Sequence, residues 1–163
     1  MSGEHNPGAQ VIDDSPLVPN SLAGQTAIVT GGSRGIGFAI SKGLATLGSE
    51  VLIIGQNKAN VDSAINSLNQ FGGLVKGFVA DVSKIYEIEQ IATEILSTHS
   101  PSILINSAGV MSEKTAKTLK TSNEEWDRVL DINLKGTFNT IKTFAPIMVE
   151  KRQGRIINLS ACL

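Results

Sequence analysis

Thr30-Gly31-Gly32-Ser33-Arg34-Gly35-Ile36-Gly37 stands between a short β-rich run, Thr26-Ala27-Ile28-Val29, and a helix-like stretch from Phe38 to Leu47. Ile36, Ile40, Leu44 and Leu47 recur at helical spacing and predict one apolar face. The glycines therefore fall where a strand becomes a helix. A helix N-terminus there offers free N–H groups and a partial positive charge to an anion. Glycine lets backbone approach a phosphate with no Cβ in the way. Gly31, Gly35 and Gly37 give G-x-x-x-G-x-G rather than the commoner G-x-G-x-x-G, and no Lys-Ser/Thr pair follows to make a P-loop. A nucleotide phosphate is the ligand class this loop points to; the alternative is a glycine-rich turn with no ligand.

Outward from the loop, strand and helix patterns alternate. Val51-Leu52-Ile53-Ile54 is an apolar run of the kind a strand covered on both faces shows. Asn57 to Phe71 predicts a helix with Val61, Ile65 and Leu68 inward and Gly72-Gly73 as its stop. Leu74 to Val79 is a third strand ending at Ala80-Asp81. Ser83 is the expected N-cap of a helix carrying Ile85, Ile88, Ile91 and Ile95. Ser102 to Ile105 is a fourth strand, running into Asn106-Ser107-Ala108-Gly109. A polar connection over 110–122 leads to one long helix capped by Asn123, with Trp126, Val129, Leu130, Phe144 and Met148 inward, and with Pro146 expected to kink or end it. Arg155 to Leu159 is a fifth strand. Residues 1–21, with Pro7, Pro16, Pro19 and Asp13-Asp14, read as a loose tail, and 22–163 as one domain. Repeated β-α-β units predict an α/β fold, a doubly wound parallel sheet of Rossmann type with right-handed crossovers, ending after its fifth strand. On such sheets ligands bind beyond the carboxyl ends of the strands, which selects 30–37, 55–58, 81–82, 106–109 and 159–161.

With 163 residues, 41% hydrophobic and 18% charged, the chain is globular in type. A net charge of −1 with no basic stripe argues against nucleic acid. Cys162 is the single cysteine, so no internal disulfide forms. No apolar run reaches membrane-spanning length and no signal peptide is seen, so no membrane partner and a cytoplasmic location are expected.

These strand ends together resemble the short-chain dehydrogenase/reductase family, including its 3-oxoacyl-carrier-protein reductases. Thr30-Gly31-x-x-x-Gly35-x-Gly37 is similar to its cofactor loop, Asp81-Val82 to the aspartate after the third strand, and Asn106-Ser107-Ala108-Gly109 to its Asn-Asn-Ala-Gly. Asp131-Ile132-Asn133-Leu134-Lys135-Gly136 resembles the helix segment holding its active-site asparagine. Gly154-Arg155-Ile156-Ile157-Asn158-Leu159-Ser160 resembles the strand leading to its catalytic serine. The matches cover roughly residues 22–163 and keep the family's order.

The resemblance implies an NAD(P)(H)-dependent oxidoreductase moving hydride between nicotinamide and a small carbonyl or alcohol substrate, often as a homo-oligomer. It implies cofactor contacts from Gly31, Ser33, Arg34, Gly35, Ile36, Gly37, Gln56, Asn57, Asp81, Val82, Asn106, Ala108 and Gly109, with Asp81 accepting from the adenine amino group. It implies active-site roles for Asn133 and Ser160, though the place after Ser160, which often holds the family's serine, is Ala161. Gly55-Gln56-Asn57-Lys58 lacks the acid that marks NAD at the end of the second strand, and Arg34 stands where a guanidinium can fork onto a 2′-phosphate. NADP(H) is therefore expected over NAD(H). Asn133, four after Val129 on the apolar face, is expected to be a buried, hydrogen-bonded amide. The family's Tyr-x-x-x-Lys follows the serine by about a dozen residues, and its lysine favours the phenolate of a group with pKa about 10. Three residues follow Ser160, and the one tyrosine, Tyr86, has no lysine four places on. The expectation is a cofactor-binding part lacking that pair; the alternatives are an inactive NADP-binding regulatory partner or a truncated product without function.

Overall fold

The computed structural model describes residues 18–70, 73–112 and 118–160. Five strands, β1 (Thr26–Thr30), β2 (Glu50–Gly55), β3 (Val75–Val79), β4 (Ile103–Asn106) and β5 (Arg155–Asn158), alternate with helices. These are α1 (Gly35–Thr46), α2 (Lys58–Asn69), α3 (Ile85–Thr98), α4 (Asn123–Leu130) and α5 (Gly136–Glu150), and a π-helical turn over Asp131–Lys135 joins the last two. Every strand pairing is parallel, in the order β3-β2-β1-β4-β5. The chain winds outward from β1 to β3, then crosses back to lay β4 on the other side of β1. β1 and β4 are thus neighbours whose following segments leave in different directions, which opens a crevice above them.

Strand residues alternate between two cores. Ile28, Leu52, Ile54, Phe78 and Leu104 face Ile88, Ala92 and Ile95 of α3 and Phe144 and Met148 of α5. Ala27, Val29, Val51, Ile53, Ile103 and Ile105 face Ala45 of α1 and Ala64 and Leu68 of α2. This explains the uninterrupted apolar runs, since neither face of the central strands meets water. β5 lies at the sheet edge with all four residues exposed.

Several element ends differ from the sequence expectation. α1 begins at Gly35 and buries Gly37, Ser41 and Ala45, while Ile36 is 69% exposed. Three small residues bring the helix axis close to the sheet and turn the larger apolar residues to its flanks. The cap of α3 is Lys84 rather than Ser83, because the Ser83 N–H and hydroxyl are both taken by Asp81 Oδ1, at 2.9 and 2.7 Å. Ser122 rather than Asn123 caps α4, its Oγ accepting from Glu125 N. The single long helix is instead interrupted by the π turn. Pro146 neither ends α5 nor stops it before Glu150, for its missing N–H leaves only the turn at Lys142 without its bond. Trp126 and Leu130 are exposed, whereas Phe144 and Met148 are buried. Residues 18–21 are ordered into a turn that docks on the end of α1, where Leu22 N donates to Leu47 O at 3.0 Å. The rest of the expected tail, the expected stop at Gly72 and the connection over 113–117 lie outside the described residues.

The crevice is closed at its base by one hydroxyl. Beyond Thr30 the backbone leaves β4: Gly31 N donates to Ile54 O of β2 at 2.8 Å. Thr30 Oγ1, on a residue 2% exposed, then accepts both Ser107 N and Ala108 N at 3.1 Å. It replaces the ladder bonds that the departing strand no longer supplies. Thr30→Val keeps the shape and leaves two backbone N–H groups unpaired. We expect a loss of about 2–3 kcal/mol in urea unfolding, and a change under about 0.5 kcal/mol would show that the hydroxyl is dispensable. Phe144→Ala, at a fully buried position, is expected to cost about 3–5 kcal/mol in the same measurement.

Candidate functional site

A cleft of about 1260 Å³ opens over the carboxyl ends of β1, β2, β3 and β4. Gly31, Ser33, Arg34, Gly35, Ile36 and Gly37 form one wall, Gln56, Asn57, Asp81 and Val82 another, and Ala108, Gly109, Asn133 and Ser160 a third. Its volume exceeds the roughly 300–1,000 Å³ of an ordinary small-molecule site, and it crosses several strand ends rather than sitting over one.

The glycine loop is built by close backbone contact. At Gly31 φ is +66°, and a Cβ there would stand 2.8 Å from Ala108 Cα. A Cβ on Gly37 would stand 2.3 Å from Gly31 O. Neither space can yield, because backbone lies on the other side. These two glycines let loop, helix and β4 end meet, and Gly35, with φ +55° and open space beyond it, is the one that leaves the cleft clear. Arg34 caps α1 in an extended conformation with no side-chain cap bond. The N–H groups of Gly35, Ile36 and Gly37 have no partner inside the helix by α-helical geometry. Among the described residues no carboxylate pairs with the Arg34 guanidinium, and Ser33 packs beside Gly55.

The third strand end is tightly tied. Asp81 Oδ1 accepts from Ser83 N and Oγ, and Oδ2 accepts from Gln56 Nε2 at 3.0 Å. Asp81 N donates to Glu87 Oε2 at 2.8 Å. That N–H holds the Glu87 carboxyl below the usual carboxylate range, helped by the Lys84 ammonium at 3.2 Å and against partial burial. Glu87 in turn raises Lys84.

Asn133 sits in the π turn and is exposed rather than buried. The turn swings it off the apolar face toward the cleft. Its amide meets the strand-end backbone twice: Nδ2 donates to Val110 O at 2.9 Å, and Oδ1 accepts from Val110 N at 2.8 Å. Asn106 does not line the cleft. It is buried behind it, where Nδ2 donates to Asn158 Oδ1 at 2.9 Å and Oδ1 accepts from Thr140 Oγ1 at 2.7 Å. Register explains this, since Asn106 and Asn158 stand opposite each other on β4 and β5. Tyr86 is 61% exposed on α3 and donates to Glu87 Oε1 at 3.2 Å. Ala161 lies outside the described residues.

Sequence reasoning misses several participants. In the sequence Thr30 is only the residue before the glycines. Glu87 does not stand out there, although an acid in the first turn of a helix is a signal. Trp126, Leu130 and Leu134 line the cleft mouth, and helical spacing alone assigns the first two to a core face. No group of His, Cys, Asp or Glu able to hold a metal ion occurs among the described residues, and no helix there is long and apolar enough to cross a membrane.

Comparison with known proteins places this geometry. The family described as short chain dehydrogenase matches residues 25–162. A 3-oxoacyl-[acyl-carrier-protein] reductase of Rickettsia prowazekii is 36% identical over 140 residues, which are 86% of this chain and 55% of that protein. The structure of a metagenomic short-chain oxidoreductase in complex with NADP aligns with a TM-score of 0.82 at 33% identity, covering 87% of this chain and 64% of the other. A 3-oxoacyl-[acyl-carrier protein] reductase with bound NAD from Brucella melitensis aligns with a TM-score of 0.84 at 30% identity, covering 93% and 60%. The chain thus spans little more than half the length of the reductase it matches in sequence, and within that span it belongs to the short-chain dehydrogenase family.

Proposed function

We propose that this chain binds NADP(H) in the strand-end cleft and serves a carbonyl–alcohol oxidoreductase of the short-chain type. The observation that carries it is the backbone cradle at Gly31 and Gly37, which a Cβ would fill, at the start of α1 and at the point where the strand order reverses. Relatives solved with NADP and with NAD support a dinucleotide of either kind. The preference for NADP rests on this chain's own residues. No acid stands at Gln56 or Asn57, and Asn57 Oδ1 is committed to capping α2 through Asn60 N at 3.0 Å. Arg34 is exposed beside them and suits a 2′-phosphate.

A bound dinucleotide would supply or accept the hydride. The chain's own residues bind and orient. Gly35, Ile36 and Gly37 present N–H groups to the pyrophosphate, Asp81 accepts from the adenine amino group, and Asn133 fixes the Gly109-Val110 segment at the nicotinamide end. Ser160, at the end of β5, is the candidate donor to a substrate oxygen. Proton transfer is assigned to no group of the cleft, since Tyr86 is engaged with Glu87 on the outer surface of α3. Small carbonyl or alcohol compounds are the substrate class, with a cytoplasmic setting and a homo-oligomer as the family-like context.

Calorimetry with the purified chain is expected to give tighter binding of NADPH than of NADH. Arg34→Ala should weaken NADPH by about 10- to 100-fold, the loss of one charge-assisted phosphate contact, and leave NADH within about threefold. Equal affinities in the unsubstituted chain would overturn the preference. The same preparation is expected to hold NADPH without consuming it when a ketone is added; steady loss of NADPH absorbance would show that another residue supplies the proton.

A further inference from the structure

The adenine end of the cleft depends on a residue that does not line it. Ala80 N donates to Gly55 O at 3.1 Å, the last bond between β3 and β2. Asp81 is therefore the first residue beyond the sheet, and no ladder bond fixes its backbone. Its carboxylate is oriented from both sides, by Ser83 on Oδ1 and Gln56 on Oδ2. Its carbonyl closes a turn by accepting Lys84 N at 3.0 Å. What remains is its N–H, and that goes to Glu87 Oε2 at 2.8 Å. Glu87 is the third residue of α3, the place from which an acid ordinarily reaches back to the N–H of its own cap residue. Here the cap residue is Lys84, whose N–H is already occupied by Asp81 O. The carboxylate consequently reaches past its helix to the strand end. Its second oxygen is steadied by Lys84 Nζ at 3.2 Å and by the Tyr86 hydroxyl at 3.2 Å.

We infer that Glu87 is a positioning residue for nucleotide recognition: it sets the Asp81 backbone, and through it the carboxylate that meets the adenine ring, from the first turn of α3. This rests on the dinucleotide reading given above. The bond is ionic on one side, since the carboxyl is held below its ordinary range by that same N–H, so it persists at neutral pH. Tyr86 and Lys84 act behind it as supports on the solvent side. α3 thereby joins the site although none of its residues contributes to the cleft wall.

The test separates adenine-bearing from adenine-free ligands. Affinities for NADPH, adenosine 2′,5′-bisphosphate and reduced nicotinamide mononucleotide are measured by calorimetry for the unsubstituted chain, Glu87→Leu and Glu87→Gln. Glu87→Leu should weaken the first two on the order of tenfold, as loss of a hydrogen bond to a charged group does, and leave the mononucleotide within about twofold. Glu87→Gln, which keeps an acceptor oxygen for Asp81 N, should restore most of the loss. Amide exchange at Asp81 should accelerate in the leucine variant and recover in the glutamine variant. Equal loss for all three ligands, or unchanged adenosine bisphosphate affinity in Glu87→Leu, would overturn the inference and leave the cofactor reading standing. An unsubstituted chain that binds neither NADPH nor the bisphosphate would overturn both.

Discussion

Everything in the cleft follows from the divergence of β1 and β4 above Thr30. A parallel sheet whose winding reverses must separate a pair of neighbouring strands, and the diverging backbone exposes N–H groups that the sheet no longer pairs. In this chain the Thr30 hydroxyl takes two of them, and Gly31 turns away with a positive φ against Ala108. The fit is close enough that a single methyl at Gly31 or Gly37 would collide with backbone. The glycine loop is therefore a packing solution first. Its ability to accept a phosphate comes from what that packing leaves over: unpaired helix N–H groups, a clear approach at Gly35 and a cation at Arg34.

Around this junction the remaining strand ends are fixed from outside the sheet. Asn133 grips Val110 from the π turn, Glu87 grips Asp81 from α3, and Thr140 of α5 anchors Asn106. Glu87 and Asn133 pair backbone groups that lie beyond their strands, while Thr140 holds the Asn106 side chain. All three grips thus come from the side of the sheet on which α3 and α5 pack. One apolar layer, holding Phe144, Ile88 and Ile54, packs these helices against the sheet.

The fold is legible in the sequence because its signal is long-range and repetitive. Doubly covered strands read as unbroken apolar runs, and the glycine spacing marks the first turn. Boundaries and faces are less legible. Ile36 and Trp126 look like core residues on a helical wheel, yet both are exposed at the cleft, where a ligand-binding wall and a core face share the same pattern. An ideal helix would bury Asn133; the π turn adds a residue and rotates it out. Asn106 belongs to a motif that reads as cofactor-binding, but its pairing with Asn158 emerges only from strand register. Ser83 and Asn123 are sound cap residues by type. Ser83 loses its place because Asp81 takes both its N–H and its hydroxyl, and Asn123 because the Ser122 hydroxyl already caps α4.

The most direct test of the account is the footprint of NADPH on the backbone amides of the chain, read by nuclear magnetic resonance during titration. The account predicts the largest shifts at residues 33–37, with further shifts at 56–57, 80–82 and 108–110, and none at the opposite end of the sheet around Ser102 and Gln153. Shifts concentrated at that opposite end, or none at the glycine loop, would contradict it.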